Sequence, residues 1–401
     1  MTRRLFKIKG VVQHYSWGGY EFIPRLLDIE NTAQKPFAEY WLGAHPNHPS
    51  TAEEKSEKLS GLIEGDASGF LGEKITDRFS ILPFLLKVLD VRQMLSIQVH
   101  PSKESAASGF AKENKKGIPV TASNRNYKDE NHKPELMVAL SDFWLLHGFK
   151  REEELRKTLE AIPGFSFLRP VFDTTGYKGL YEEVMTMDQG KVNEILQPML
   201  EKLIPLYNNN ELKRDSEDFW AARAAIHFGK DGNCDRGIFS IYFFNLVHLK
   251  RGEGIFQPQG MPHAYLEGQN VEVMANSDNV LRAGLTDKHI DVAELMKHVA
   301  FEATIPTILN PTAPFHRIFS SPAEEFELHQ YLLQGKDENI RTTSAEIWLV
   351  LSGAVKVAAT DGGFGAKKGE SFFVKPETDI TLKSSGQTEL FRVRVPDVIK
   401  N

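Results

Sequence analysis

Two side chains that can bind a metal or carry a proton face the same way in residues 94–100. Apolar and polar residues alternate there with a period of two, which is typical of a half-buried strand. One face carries the apolar residues Leu95, Ile97 and Val99. The opposite face carries Met94, Ser96, Gln98 and His100. Because Pro101 cannot donate a ladder hydrogen bond, we expect the strand to end with His100 at its mouth. The polar face could therefore form part of a site.

A second histidine, His263, follows a turn rich in glycine and proline in residues 252–262. The spacing Gly, five residues, Pro, one, Gly, two, His is that of the second metal motif of the cupin barrel, in which the histidine is a ligand. The first motif should then supply two ligands at i and i+2 on an earlier strand and a carboxylate on the next strand. Gln98, His100 and Glu135 fit this pattern, although Gln replaces the usual first histidine and Glu267 replaces the usual terminal Asn of the second motif. As a set, these residues predict a metal site.

Two lysines lie within strand-like segments. Lys133 shares a face with Glu135 at the start of residues 131–140, and on its own this pattern also fits a surface ion pair of little energetic value. Lys87 interrupts the apolar run of residues 82–89. It either extends its ammonium to solvent at a strand end or faces a polar cavity, and the sequence leaves both interpretations open.

Two further histidines, His45 and His48, lie three residues apart and could suggest a metal pair. Pro46 and Pro49 make this segment a loop rather than one face of a helix. We therefore interpret both histidines as structural.

Three regions must position the candidate site, and together they predict a mainly β protein. Residues 1–150 and 236–310, including a strand-like stretch over 238–249, are expected to form a metal-binding cupin (jelly-roll type) β-barrel. Residues 151–235 are expected to form a helical insertion, since apolar residues follow the i, i+3, i+4, i+7 rule over 192–206. Residues 311–401 resemble a second, degenerate cupin-like β domain without histidines at the ligand positions.

Composition excludes several classes of function. The chain has 401 residues, of which 41% are hydrophobic and 25% charged, with a net charge of −6. This acidic balance argues against general binding to nucleic acid or to an anionic membrane surface. The single cysteine, Cys234, excludes an internal disulfide and a Cys-rich zinc site, and it favours a cytoplasmic location. Neither a secretory signal nor an apolar run long enough to span a membrane is expected.

At this level of detail the sequence resembles one family, the type I mannose-6-phosphate isomerases (phosphomannose isomerases). The resemblance extends to about residue 300. It is carried by Trp17-Gly18, Ala44-His45-Pro46, Leu82-Pro83-Phe84-Leu85, residues 95–101 with Lys103, residues 131–135, Pro262-His263-Ala264-Tyr265 and residues 276–286. One departure is Asp287, where the family usually has a proline before the lysine that corresponds to Lys288.

The resemblance implies one Zn²⁺ per chain, held by Gln98, His100, Glu135 and His263, and a catalytic arginine, Arg282. It also implies an aldose–ketose isomerase acting on mannose 6-phosphate and fructose 6-phosphate. Such a reaction moves a proton between adjacent carbons through an enediolate, whose oxyanion needs stabilisation. The proton carrier stays open among three residues beside the site: Lys133, His132 and Asp278.

We place Lys133 with Arg282 in the catalytic set and Asp278 with the substrate-binding residues. The phosphate requires cations away from the metal, for which Lys87 and Lys288, helped by the Ser96 hydroxyl, are the best candidates.

Two alternatives from other classes accompany this hypothesis. Two histidines and one carboxylate also describe a non-haem iron oxygenase, and a cupin can bind sugars without catalysis. The expected partner is a small-molecule sugar phosphate. The protein is expected to be a monomer, with neither nucleic acid nor membrane as a partner.

Overall fold

A computed structural model describes residues 3–397 of the chain. The first part of the chain, up to Phe149, contains nine strands and five short helices. The strands are β1 (Leu5–Lys9), β2 (Val11–Gln13), β3 (Glu39–Gly43), β4 (Thr51–Ala52), β5 (Glu57–Lys58), β6 (Phe84–Val91), β7 (Gln98–Val99), β8 (Glu135–Ala139) and β9 (Phe143–Phe149). The helices are α1 (Phe22–Leu27), α2 (Leu59–Gly65), α3 (Ala67–Leu71), α4 (Glu73–Phe79) and α5 (Lys103–Lys115).

The remainder of the described chain is helical first and then mainly β. The helices are α6 (Glu152–Ala161), α7 (Leu168–Thr186), α8 (Gln189–Asn208), α9 (Glu217–Phe228), α10 (Gly237–Phe243) and α11 (Val292–Leu295). The middle strands are β10 (Phe244–Leu249), β11 (Gly254–Gln257), β12 (His263–Ala275) and β13 (Leu281–Arg282). The last strands are β14 (His316–Phe319), β15 (Glu327–Gln334), β16 (Asp337–Arg341), β17 (Glu346–Ser352), β18 (Ala354–Ala359), β19 (Gly362–Lys367), β20 (Ser371–Val374), β21 (Asp379–Ser384) and β22 (Gln387–Arg394). The predicted mainly β class is confirmed, and no helix in residues 3–397 has the length and apolar character needed to cross a membrane.

Two large sheets form the centre of the molecule. A 10-stranded sheet has the central order β10-β9-β12-β6-β3-β2, and strands β7, β8, β11 and β13 join it beside this path. An 8-stranded sheet has the order β14-β15-β22-β17-β20-β1-β4-β5, and the other C-terminal strands form a separate 4-stranded sheet in the order β16-β21-β18-β19. The two sheets share one apolar core, in which Leu86 and Val88 of the first sheet lie with Ile347 and Phe391 of the second. Lys87 lies on the opposite face of β6, and it is also buried.

Helices α6 to α10 cover one side of the 10-stranded sheet. Their core includes Tyr181, Leu196 and Trp220, and it is continuous with Ile97 and Val99 beside the candidate site. The predicted helical insertion is therefore present, and it supports the segment that carries Gln98 and His100.

The predicted strand over residues 94–100 is wrong in length, because only Gln98–Val99 forms a strand. The preceding residues bond to two different neighbours instead of one continuous ladder: the N–H of Leu95 donates to the Tyr265 carbonyl, and the N–H of Ile97 donates to the Gly284 carbonyl. Gln98 is paired in this short ladder, and His100 follows directly after it.

The predicted strand over residues 238–249 is also wrong in its first half, because Gly237–Phe243 is a helix. Every residue of this helix is buried. A segment that is apolar on all sides carries no periodicity with which to distinguish a helix from a strand.

Main-chain hydrogen bonds cross the predicted domain division at residue 311. Strand β1 pairs with β20, so the N-terminal strand belongs to the C-terminal sheet. The three-part division, and the interpretation of residues 311–401 as a degenerate cupin repeat, remain predictions.

Candidate active site

Three buried side chains, one directly after β7 and the others from β8 and β12, converge on one point of the 10-stranded sheet. They are His100, Glu135 and His263, and one potential ligand atom of each lies within 4.8 Å of the others. The Nε2 atoms of His100 and His263 lie 3.4 and 3.3 Å from the two oxygens of Glu135. Two imidazole nitrogens around one carboxylate form a donor set suited to a divalent transition metal.

The register of the strands brings Gln98 and Arg282 to the same face. His263 lies opposite Gln98 across β12 and β7, and Arg282 lies opposite Gln98 across β13 and β7. Residues directly opposite each other in an antiparallel pair point to the same face. The Gln98 amide therefore shares a face with His263 and with the Arg282 guanidinium.

A bend in β12 brings its two ends together at this site. Glu135 pairs with Met274 near the end of β12, and yet it contacts His263 at the start of the same strand. The pairing of β12 with β9 is irregular between Tyr265 and Glu267, and Gly268 follows with a φ of +131°. A Cβ at Gly268 would lie 2.6 Å from the Phe143 ring, so the bend requires glycine.

Main-chain carbonyls fix the ring orientation of both histidines. The Nδ1 atom of His100 is 2.9 Å from the Asn279 carbonyl, and that of His263 is 2.9 Å from the Met261 carbonyl. Since a carbonyl only accepts, each Nδ1 must carry the proton and each Nε2 presents a lone pair toward Glu135. The Nε2 of His100 is buried and forms no hydrogen bond. A buried acceptor without a partner is costly, and a metal ion at this position would satisfy it.

The electrostatics of the site favour the protonation states that metal binding needs. Burial lowers the pKa of His100 to about 4, so its imidazole is neutral at pH 7. Burial opposes ionisation of Glu135, but the Lys133 ammonium at 3.0 Å and the neighbouring histidines hold the pKa of this carboxyl well below its ordinary value. Metal binding would therefore release few protons at neutral pH.

Lys87 faces a polar interior and not the solvent, which decides between the two interpretations of its sequence. Its ammonium is 3.5 Å from a carboxylate oxygen of Glu39 and 3.5 Å from one of Glu272, and it lies over the Trp41 ring. Burial opposes its charge, but these carboxylates outweigh burial and raise the pKa of Lys87. The Tyr265 hydroxyl extends the cluster by donating to Glu272 at 2.8 Å.

Sequence reasoning missed Glu39, Glu272 and Tyr265. The available signal was a carboxylate at a position flanked by apolar residues, as in Val271-Glu272-Val273, which is the same signal that identified Lys87.

Three cations gather at the edge of the site. Arg282 is half-buried and, within residues 3–397, has no carboxylate oxygen within 4 Å. Burial and the positive charge of Arg282 lower the pKa of both Lys128 and Lys288. Lys128 was not predicted, since it lies in a segment that the sequence shows only as polar loop. Such an excess of positive charge is suited to an anionic group.

The other predicted residues lie around this centre. Asp278 contacts the ring of His45, with 3.2 Å between its Oδ2 and Nε2, and His45 is buried. His132 points to the C-terminal segment, where its Nε2 is 2.7 Å from Glu325. Ser96 is half-buried two residues before Gln98.

Comparison with known proteins gives a consistent result. A family model described as phosphomannose isomerase type I, catalytic domain, matches residues 5–152. The mannose-6-phosphate isomerase of Escherichia coli (strain K12) is 36% identical over 393 residues, which cover 95% of this chain and 97% of that protein. The mannose-6-phosphate isomerase of Bos taurus is 31% identical over 432 residues, with 98% of each chain covered.

Solved structures are similar along the whole chain. A mannose 6-phosphate isomerase bound with zinc and yttrium superposes with a TM-score of 0.88 at 33% identity, covering 98% of this chain and 100% of the other. The Salmonella typhimurium enzyme bound to fructose 6-phosphate and zinc superposes with a TM-score of 0.87 at 34% identity and the same coverage.

Proposed function

The chain belongs to the type I mannose-6-phosphate isomerases, and it is therefore an isomerase. We propose that it interconverts mannose 6-phosphate and fructose 6-phosphate with one zinc ion per chain. The observation that carries the proposal is the buried group of His100, Glu135 and His263, with its unsatisfied imidazole nitrogen. A site of this kind on this family's fold favours the isomerase over the two alternatives, the iron oxygenase and the non-catalytic sugar-binding cupin.

We propose that Gln98 completes the zinc-binding set with His100, Glu135 and His263. Its support is the ladder register, which gives Gln98 the same face as His263. When bound, zinc with two imidazoles, one carboxylate and one neutral amide keeps a net positive charge and polarises oxygen atoms as a Lewis acid.

Arg282 is proposed as the catalytic arginine and Lys133 as the proton carrier. The amine form of Lys133, reached when its ammonium has released a proton to solvent, accepts the proton from C2 of the aldose, the C–H electron pair forms the C1–C2 double bond, and the negative charge moves to O1. A proton then passes from O2 to O1, and the carried proton returns to C1 to give the ketose. Arg282 stabilises the enediolate oxyanion, because no carboxylate of residues 3–397 lies within 4 Å to compete for its guanidinium.

Lys87 is less suited to carrying a proton. Its two carboxylate neighbours keep it charged, so it acts by donating hydrogen bonds. These neighbours also cancel much of its charge toward a phosphate. We therefore assign Lys87, with Ser96 and Asp278, to the sugar hydroxyls.

The phosphate is assigned to Lys288, with Lys128 as a second cation. The positive charge of Arg282 acts on both lysines, which supports a place for them near this arginine. A sugar phosphate is extended, so its reacting carbons and its phosphate need separate binding groups.

The direct experiment is conversion of mannose 6-phosphate to fructose 6-phosphate in D₂O by the purified protein. We expect conversion with deuterium at C1 of the ketose, since a proton carried by an amine exchanges with solvent. Conversion without any incorporation of deuterium would refute Lys133 as the proton carrier, because an ammonium group mixes the carried proton with exchangeable ones, and absence of conversion would refute the function.

We also propose that the protein acts as a cytoplasmic monomer. The single cysteine, Cys234, leaves the chain without an internal disulfide, as is usual in a reducing compartment. Light scattering of the purified protein tests the monomer, and a dimer at micromolar concentration would contradict it.

A further inference from the structure

A buried network of hydrogen bonds lies next to His100. Its centre is Asn279, whose side chain is fully buried. The Oδ1 of Asn279 accepts from the main-chain N–H groups of Lys128 at 2.6 Å and Asp129 at 3.3 Å. Its Nδ2 donates to the main-chain carbonyls of Asp129 at 2.9 Å and Asn131 at 2.8 Å.

The Asp129 carboxylate belongs to the same hydrogen-bond network. It accepts from the Ser277 hydroxyl at 2.8 Å and from the main-chain N–H groups of Asp278 at 2.7 Å and Asn131 at 2.9 Å. It also accepts from Asn279 Nδ2 at 3.1 Å. Two chain segments far apart in sequence, residues 128–131 and 277–279, are thus held in one fixed arrangement.

Each segment leads directly into the site. Residues 128–131 precede Lys133 and Glu135, and residues 277–279 precede Arg282. The main-chain carbonyl of Asn279 itself accepts the proton of His100 Nδ1 at 2.9 Å. A side chain that fixes this peptide group therefore fixes the direction of the carbonyl that selects the tautomer of His100.

We infer that Asn279, braced by Asp129, is a positioning residue that sets the orientation and tautomer of His100 for metal binding. This inference rests on the proposed zinc site, and it adds two residues that touch neither metal nor substrate. The same hydrogen-bond network also fixes the spacing between the Lys133–Glu135 segment and Arg282. One buried amide therefore holds both halves of the site in place.

The test measures the zinc dissociation constant by competition with a chelator in the full-length protein. Asn279→Ala should weaken zinc binding about 10- to 100-fold, as is typical when a group that orients a metal ligand is removed. Co²⁺ bound in place of zinc should show a changed visible spectrum, which reports ligand geometry and not general stability. Asn31→Ala is the matched control, because Asn31 also bonds to main-chain groups of a loop, at Tyr20 and Lys35.

Unchanged zinc affinity in folded Asn279→Ala, or an equal loss in Asn31→Ala, would overturn the inference. If Asn279→Ala does not fold, the variant Asp129→Asn tests the inference instead. It keeps the size of the side chain but replaces one acceptor oxygen with an NH₂ group, which then faces the N–H and O–H donors that bond to Asp129. Weaker zinc binding of Asp129→Asn supports the inference, and wild-type affinity refutes it. Failure of the wild-type protein to bind zinc would instead refute the proposed function.

Discussion

Replacing Lys87 with methionine should be strongly destabilising, because it leaves two buried carboxylates without a cation. Methionine has a similar length, so little packing is lost. With 3.5 Å to each of Glu39 and Glu272, Coulomb's law gives about 5 kcal/mol per pair at an effective dielectric constant of about 20. Desolvation of the lysine offsets part of this, and one carboxyl group can take up a proton. We therefore expect a net loss of about 3–5 kcal/mol in the free energy of unfolding.

The pH dependence of the variant gives a second signature. Burial already raises the pKa of Glu272, and removal of Lys87 should raise it further. A carboxyl group whose folded pKa is above its unfolded pKa stabilises the folded state at low pH and loses this effect as the pH rises. Lys87→Met should therefore be less destabilised at pH 5 than at pH 7.

Urea unfolding followed by circular dichroism measures both effects. Lys7→Met is the control, since the Lys7–Glu370 pair is half-exposed and its loss should cost less than about 1 kcal/mol. Adding Glu272→Gln to Lys87→Met should recover part of the stability. A loss in Lys87→Met equal to that of the control, with no change between pH 5 and 7, would refute the buried pairing.

Three further predictions concern the site and the bend behind it. Arg282→Ala should keep one zinc per chain in a metal assay yet lose about 10²- to 10³-fold in kcat; loss of zinc would instead show that the arginine supports the metal ligands. In metal-free protein, burial keeps the pKa of His100 at about 4, below its value in the unfolded chain, so stability falls as the pH decreases from 6.5. His100→Gln should remove up to about 2 kcal/mol of this dependence between pH 6.5 and 5, and equal slopes in urea titrations of both proteins would contradict it. Gly268→Ala should lower the free energy of unfolding by about 1–3 kcal/mol, because its φ of +131° and the nearby Phe143 ring exclude a side chain; a neutral effect would show that β12 can bend without glycine.

The sequence was sufficient to predict that His100, Glu135 and His263 lie together, because the motif spacing and the strand pattern restrict where these side chains can point. Alternation placed Gln98 and His100 on one face, and the turn before His263 restricts where that histidine can point. Glu135 then followed from the motif as the carboxylate of the next strand. The structure brings His100, Glu135 and His263 together, and register gives Gln98 the same face.

What the sequence did not predict depends on contacts between distant segments. Glu272 has meaning only through its pairing with Lys87 across β6 and β12. Lys128 lies in a polar loop whose position is set by Asn279, far along the chain. The sequence of the helix Gly237–Phe243 resembles that of a strand because the helix is buried on every side. Its apolar residues therefore show neither the 3.6-residue period of a helix nor the two-residue period of a strand.

Titration of metal-free protein with Zn²⁺, followed by the rate of fructose 6-phosphate formation from mannose 6-phosphate, tests the central claim most directly. We expect no activity without metal, a linear rise with added zinc and a sharp break at one zinc per chain. His263→Ala should show no such break. Activity that persists after complete metal removal, or a break at another stoichiometry, would contradict the assignment of the site.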